Sequence, residues 1–266
     1  MSSASFSVTP ESADKEVHGK LHKDRPSAVL EQGPPPLNPL HIAPEQASTQ
    51  VHDPVLKYFL VLDINGLLLV QTKQGTRWST KLRPGLERFL EFCLDNFEVV
   101  FWSCVQEKRF QILWKALQQR CPRLDAEVRY KFDQSFCETC VHKAGREFYL
   151  KRLQTLFDLD DGLKGTGASS INTLLVDDSP YKNVANTPWN VVHPTPYTFE
   201  SKESESKRNY LLGELIPWLT SLKESKLPVP EYCQKHSEFG QRRLFPGDEA
   251  YSLFSPHIDC PKRKRT

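Results

Sequence analysis

The chain has 266 residues, enough for one sizeable α/β domain with flanking arms or for two small domains. Its 35 Lys and Arg nearly balance its 33 Asp and Glu, for a formal net charge of +2, which argues against direct nucleic-acid or membrane-surface binding through net charge. No stretch reaches the roughly 18 apolar residues of a membrane span, and the 7 cysteines, odd in number and partly within apparent helices, read as reduced intracellular thiols rather than a disulfide framework.

Residues 1–54 are rich in Pro, Ser, Glu, Gln and Lys, with Pro34-Pro35-Pro36 among them. Their apolar content is too low to offset ordering entropy, so they read as a disordered arm. That arm is either a tail without a role or a docking segment. Its first residues show no basic leader, no apolar run and early acids, so neither a signal peptide nor a mitochondrial presequence is expected.

Folding is expected from Val55. Tyr58–Leu62 is apolar without alternation, as in a strand buried on both faces, and it ends at Asp63. An irregular stretch or hairpin follows over 70–81. Arg83-Pro84-Gly85 opens a helix carrying Leu86, Phe89, Leu90, Cys93, Leu94 and Phe97, with Pro84 suited to its first turn. Glu98–Trp102 reads as a second buried strand, ending at Ser103. Phe110, Leu113, Trp114 and Leu117 mark a second helix, stopped before Pro122, and Glu127–Phe132 a third strand. An amphipathic helix is predicted over 148–157, a loop over 158–170, and a strand over 171–176 that ends at Asp177 and Asp178. Val191-Val192 forms a last short strand. A helix over 208–222 closes the domain, with Pro217 as a possible kink. Residues 223–266 read as a polar tail ending in Pro261-Lys262-Arg263-Lys264-Arg265. This basic run is either a nuclear-import address or a solvated tail, so the nucleus or cytoplasm is expected ahead of the mitochondrion. Strands alternating with helices imply a mostly parallel sheet covered on both faces.

Acids just past buried strands lie where open α/β sheets bind ligands. Asp63, Asp177 and Asp178 are therefore brought around one divalent cation, and Asp63 is also placed to attack phosphorus. Gly66 permits close backbone approach, so amides near it are candidates to hold phosphoryl oxygens. Ser103 has a hydroxyl at a strand end, suited either to phosphate or to an ordinary cap. Lys151, on a helix face, would ordinarily be solvated. Cys137-Glu138-Thr139-Cys140 with His142 lacks a second pair at zinc spacing, which favours unligated thiols.

Taken together, six motifs over about residues 55–222 resemble the FCP homology domain of the small carboxy-terminal-domain (CTD) phosphatases, in the haloacid dehalogenase superfamily. They are Leu62-Asp63 through Leu68, Arg83-Pro84-Gly85, Phe97 through Ser103, Tyr149-Leu150-Lys151 with Leu153, Asp177-Asp178-Ser179-Pro180, and Leu215-Ile216-Pro217-Trp218-Leu219. The Asn65-Gly66 variant and Asp133-Gln134-Ser135 with Cys137 resemble a plant-type branch. The resemblance implies a haloacid dehalogenase-like Rossmannoid three-layer sandwich with a mostly parallel central sheet. It implies a Mg2+-dependent protein serine/threonine phosphatase acting on a phosphoprotein through an aspartyl-phosphate. In that reading Asp63 is nucleophile and metal ligand, Ser103 binds phosphate, and Lys151 neutralises the phosphoryl group. Asp177 and Asp178 bind magnesium, and Asn65 adds its backbone carbonyl. The family has Asp at the position of Asn65, as general acid and then base, so turnover is expected to be slow. Two alternatives remain open: an inactive phosphoprotein- or protein-binding module of the same fold, and a relative of the presequence-receptor subunit of the mitochondrial inner-membrane translocase.

Overall fold

Phe59-Leu60-Val61-Leu62 form β1 (Phe59–Leu62), every residue of it buried. The computed structural model describes residues 56–75, 77–141, 147–204, 209–241 and 243–254, all within one unit, Val51–Thr266. The arm of residues 1–54, His142 and the basic run 261–265 lie outside the described residues. A hairpin follows β1: β2 (Leu69–Gln74) pairs antiparallel with β3 (Arg77–Leu82). Next come α1 (Leu86–Asn96), β4 (Glu98–Trp102) and α2 (Glu107–Gln118). Gly85 caps α1 with φ 75, so Pro84 precedes the helix rather than occupying its first turn. A side chain at residue 85 would also meet Asn209 and Leu212 at 2.7 Å.

The third expected strand is shorter than read. Arg123–Glu127 forms a one-turn helix, α3, before β5 (Tyr130–Phe132). Leu124 is its buried residue, and Arg123 Nε pairs with Glu127 Oε1 at 2.7 Å. The helix expected over 148–157 is a larger correction. It is a hairpin of β6 (Glu138–Val141) and β7 (Glu147–Leu150), then a short α4 (Leu153–Asp158). Leu150, Leu153 and Leu156 are spaced as on one helical face, but strand pairing of Leu150 with Glu138 overrides that periodicity. Lys151 thus sits at a strand–helix junction.

β8 (Thr173–Val176) and β9 (Val191–Val192) complete a five-stranded parallel sheet in the order β5-β4-β1-β8-β9. The inner strands β1, β4 and β8 bury both faces, as their largely apolar character requires. Leu60, Leu62, Val99, Phe101, Leu174 and Val176 face α1 and α2 through Phe89, Leu90, Leu113 and Leu117. Phe59, Val61, Val100, Trp102 and Leu175 face Leu153, Leu156 and Leu163. These two cores on either side of one sheet make the three-layer α/β sandwich read from the sequence.

The closing helix begins with a π turn, Leu211–Leu215, in which the Ile216 amide reaches back to Leu211 O. It continues as α5 (Ile216–Ser225). Pro217, which has no amide to donate, falls where the π turn passes into α5, the kind of local break in the hydrogen-bond ladder that accommodates a proline. Residues beyond 222 are not simply a polar tail. α6 (Val229–Lys235) buries Val229, Tyr232 and Cys233, and α7 (Glu249–Phe254) stacks Phe254 against Tyr181. Three apolar residues on one short helical face are enough to dock it, despite the polar average around them. Tyr232 lies edge-on to Trp218 at 5.1 Å and donates its hydroxyl to Trp218 O. Tyr232→Ala is therefore expected to cost about 3–5 kcal/mol, as for other buried aromatics, measured by urea unfolding. A loss near zero would return this segment to the status of a tail. Among the described residues, no helix is long and apolar enough to cross a membrane.

Candidate active site

Three adjacent strands of the sheet end at the site. Leu62 of β1 lies opposite Phe101 of β4 and Val176 of β8, so Asp63 and Asp177, one residue on, and Ser103, just past the last residue of β4, emerge at one edge of the sheet. Each strand end is pinned by a backbone bond. The amide of Asp63 donates to Val176 O at 3.0 Å, that of Ser103 to Phe132 O at 2.9 Å, and that of Asp177 to Val192 O at 3.1 Å.

Lys151 reaches this edge from the β7–α4 junction. Its amide donates to Lys182 O, and its carbonyl accepts from Asn186 Nδ2, so its backbone is held at both ends. The side chain is fully buried. Its Nζ donates to Asp63 Oδ1 at 2.7 Å and to Asp177 Oδ2 at 2.6 Å. A lysine read as a solvated helix residue is thus the buried link between two carboxylates. Burial alone would lower its pKa, but Asp177 and Asp63 hold it well above the ordinary lysine value.

The carboxylates of Asp63, Asp177 and Asp178 each offer an oxygen, all within 4.8 Å of one another. Their environments differ. Burial pushes Asp177 up, but Lys151 and Lys182 outweigh it and hold the carboxyl at about 2. Burial raises Asp63, and Lys151 offsets this only in part. Asp178 is pushed up to about 7 by burial and by its neighbours Asp63 and Asp177. Asp63 Oδ2 and Asp178 Oδ1 are buried with no hydrogen-bond partner. Buried carboxylate oxygens without donors are costly. An all-oxygen donor set with two such orphaned atoms fits a hard divalent cation such as magnesium, which takes few carboxylates and completes its shell with water and phosphate. Asp63 and Asp178 would hold it, with Asp177 shared between cation and Lys151.

Gly66 permits the close approach that the sequence suggested: φ is 99, and a Cβ would lie 2.5 Å from the Asp178 carboxyl carbon. Its own amide donates to Leu69 O at 2.8 Å. Asn65 Oδ1 accepts the Gln71 amide at 3.0 Å, tying the β2–β3 hairpin to the loop after Asp63. Ser103 is buried at the end of β4.

Some participants had no clear sequence signal. Lys182, four residues after Asp178, has its pKa raised, against burial, by Asp177 and Asp63. It is a second cation facing the acids, and its position just past the acidic pair was the available clue. His193 Nδ1 lies 2.8 Å from Asp177 O, and Gln241 Nε2 donates to Asp178 O at 3.2 Å. His193 and Gln241 thereby brace the loop that carries the acidic pair. Beside the site runs a groove of 480 Å³ lined by Gln71, Trp78, Cys104, Val105, Arg109 and Ile112. Trp78 and Ile112 are exposed there, and the Arg109 guanidinium lies 4.2 Å over the Trp78 ring.

A carboxylate at the end of β1, a buried lysine and an acidic pair thus meet at the carboxyl edge of a parallel sheet. The chain belongs to the NLI interacting factor-like phosphatase family, whose pattern it matches over residues 58–227. No curated protein matches it. Among solved structures it is similar to a variant of the fission yeast RNA polymerase II CTD phosphatase Fcp1 bound to beryllium fluoride. The identity is 13%, the TM-score 0.38, and the match covers 75% of this chain and 62% of that one. A second is Fcp1, an essential RNA polymerase II CTD phosphatase, at 14% identity and TM-score 0.40, covering 78% and 59%. The chain thus spans about 60% of the structures it matches.

Proposed function

We propose that the protein is a magnesium-dependent phosphatase of phosphoserine or phosphothreonine in proteins, slow because Asn65 stands where its relatives place a proton-carrying acid. The observation that carries this reading is Lys151 bridging Asp63 and Asp177, with an unpartnered oxygen left on both Asp63 and Asp178. Bound magnesium would neutralise phosphate charge that otherwise repels Asp63. The residues of the chain do the rest. Lys151 holds Asp63 in place and offers positive charge to the phosphoryl oxygens. Asp63 attacks phosphorus through the carboxylate oxygen that is not on the cation, forming an aspartyl-phosphate as the phosphorus–oxygen bond to the leaving alkoxide breaks, and the alkoxide takes a proton from water. In this reading Ser103, at the neighbouring strand end, binds a phosphoryl oxygen. Water then attacks the acyl phosphate, releasing phosphate and restoring Asp63. The groove with Trp78, Arg109 and Ile112 supports a peptide rather than a small metabolite as the carrier of the phosphate.

A second reading is a phosphoprotein-binding module without turnover. It is favoured by Asn65 Oδ1, which is occupied by the Gln71 amide and cannot shuttle a proton. Hydrolysis of an aryl phosphate, whose leaving group needs little protonation, separates the two. The phosphatase reading expects phosphate release with magnesium and loss of at least tenfold with a chelator. Saturable phosphopeptide binding with no release in either condition would establish the module instead.

A further inference from the structure

Cys137 and Cys140 stand at a spacing that resembles half a zinc site, but the fold separates them. Cys140 is buried with Leu150 and Val184 in a cluster of its own. Cys137 turns instead toward Cys104, 33 positions earlier, with the two sulfur atoms 3.5 Å apart. We propose that Cys104 and Cys137 are a peroxide-oxidisable pair that closes into a reversible disulfide one residue from Ser103.

Geometry carries the assignment. A disulfide needs its sulfurs at about 2.05 Å, so closure asks for an approach of roughly 1.5 Å from the observed separation. Cys104 follows β4, and Cys137 follows the turn after β5, which is the neighbouring strand. The Gln134 amide donates to Val105 O at 2.9 Å, already clamping the two loops together. Both residues are partly exposed although their sulfur atoms lie deep, whereas Cys93, Cys121, Cys140 and Cys233 are buried throughout. Cys104 also lines the groove beside the site, which gives a small oxidant a path to it.

The surroundings order the two steps. The hydrogen bond with Cys137 holds the Cys104 thiol below its ordinary pKa despite burial, with Lys151 and Lys182 adding to the effect. Burial pushes Cys137 well up. Cys104 is thus the attacking thiolate and Cys137 the resolving thiol. The Cys104 thiolate attacks one oxygen of hydrogen peroxide and breaks the O–O bond. Hydroxide leaves and is protonated to water, and Cys104 becomes a sulfenic acid. Cys137 attacks that sulfur, the S–S bond forms, and the S–O bond breaks. The oxygen departs as water with the Cys137 proton. Two thiols are oxidised by two electrons in all, and one peroxide becomes two waters. A thiol reductant reverses the bridge. The cross-link would tie the end of β4, and Ser103 with it, to the loop after β5.

The test is disulfide mapping on the full chain, treated with hydrogen peroxide, blocked with iodoacetamide and digested without reductant. The tryptic peptides 89–108 and 132–143 each contain a second cysteine, Cys93 and Cys140, so fragmentation must place the bridge. The expected result is a Cys104–Cys137 link in the wild type, removed by dithiothreitol, absent in Cys104→Ser and in Cys137→Ser, and retained in Cys140→Ser. Recovery of both peptides unlinked from peroxide-treated wild type, or a bridge mapped to Cys93 or Cys140, would overturn the assignment. The mapping reads mass alone, so its outcome does not depend on whether the protein hydrolyses phosphate.

Discussion

Asn65→Asp is expected to raise magnesium-dependent hydrolysis of a phosphoserine peptide by roughly 10²–10⁴-fold, the usual worth of a positioned general acid–base. The backbone around residue 65 should not resist the change. Asn65 uses Oδ1 to accept the Gln71 amide, and a carboxylate oxygen accepts the same bond. The second oxygen then carries the proton that an amide cannot. The gain should be large for a serine alkoxide and small for an acidic phenol, because only the poor leaving group depends on protonation. Rate measurements on both substrates read this contrast directly. Equal gains, or none, would show that Asn65 does not limit the rate.

Lys151→Met is expected to lower stability of the metal-free protein by about 3–5 kcal/mol, as when one member of a buried ion pair is removed. The lysine is fully buried and is the donor to both Asp63 and Asp177, at 2.7 and 2.6 Å. Without it, burial and mutual repulsion would push these acids toward protonation. Magnesium should recover part of the loss, since a cation can replace the missing charge, whereas phosphoryl transfer should not return. Chemical denaturation with and without magnesium measures the first effect, and phosphate release the second. A variant as stable as wild type would mean that Lys151 does not hold the acids together.

The strands were legible because their signal is local. Phe59–Leu62, Glu98–Trp102 and Thr173–Val176 are short apolar runs, and a parallel sheet buried on both faces asks for nothing else. The acids that end them, Asp63 and Asp177 with Asp178, could be placed at one edge from topology alone. What was hidden depends on contacts between distant positions. Residues 147–158 carry helical spacing yet pair as a strand first, because β6 supplies the partner. That junction is what turns Lys151 inward, so its role came only from the resemblance and not from its own segment. Residues 229–235 looked like tail because the polar average of the region masks Val229, Tyr232 and Cys233. The Cys104–Cys137 approach joins two loops across neighbouring strands, and no spacing along the chain encodes it.

Attack of Asp63 on phosphorus, as proposed, would leave a covalent mark on the chain. Protein turning over an aryl phosphate with magnesium can be quenched in acid, reduced with borohydride and digested for mass spectrometry. An acyl phosphate at residue 63 would be converted to homoserine there, and Asp63→Asn would yield neither this product nor released phosphate. Phosphate release that persists in Asp63→Asn, or homoserine at another carboxylate, would contradict the account.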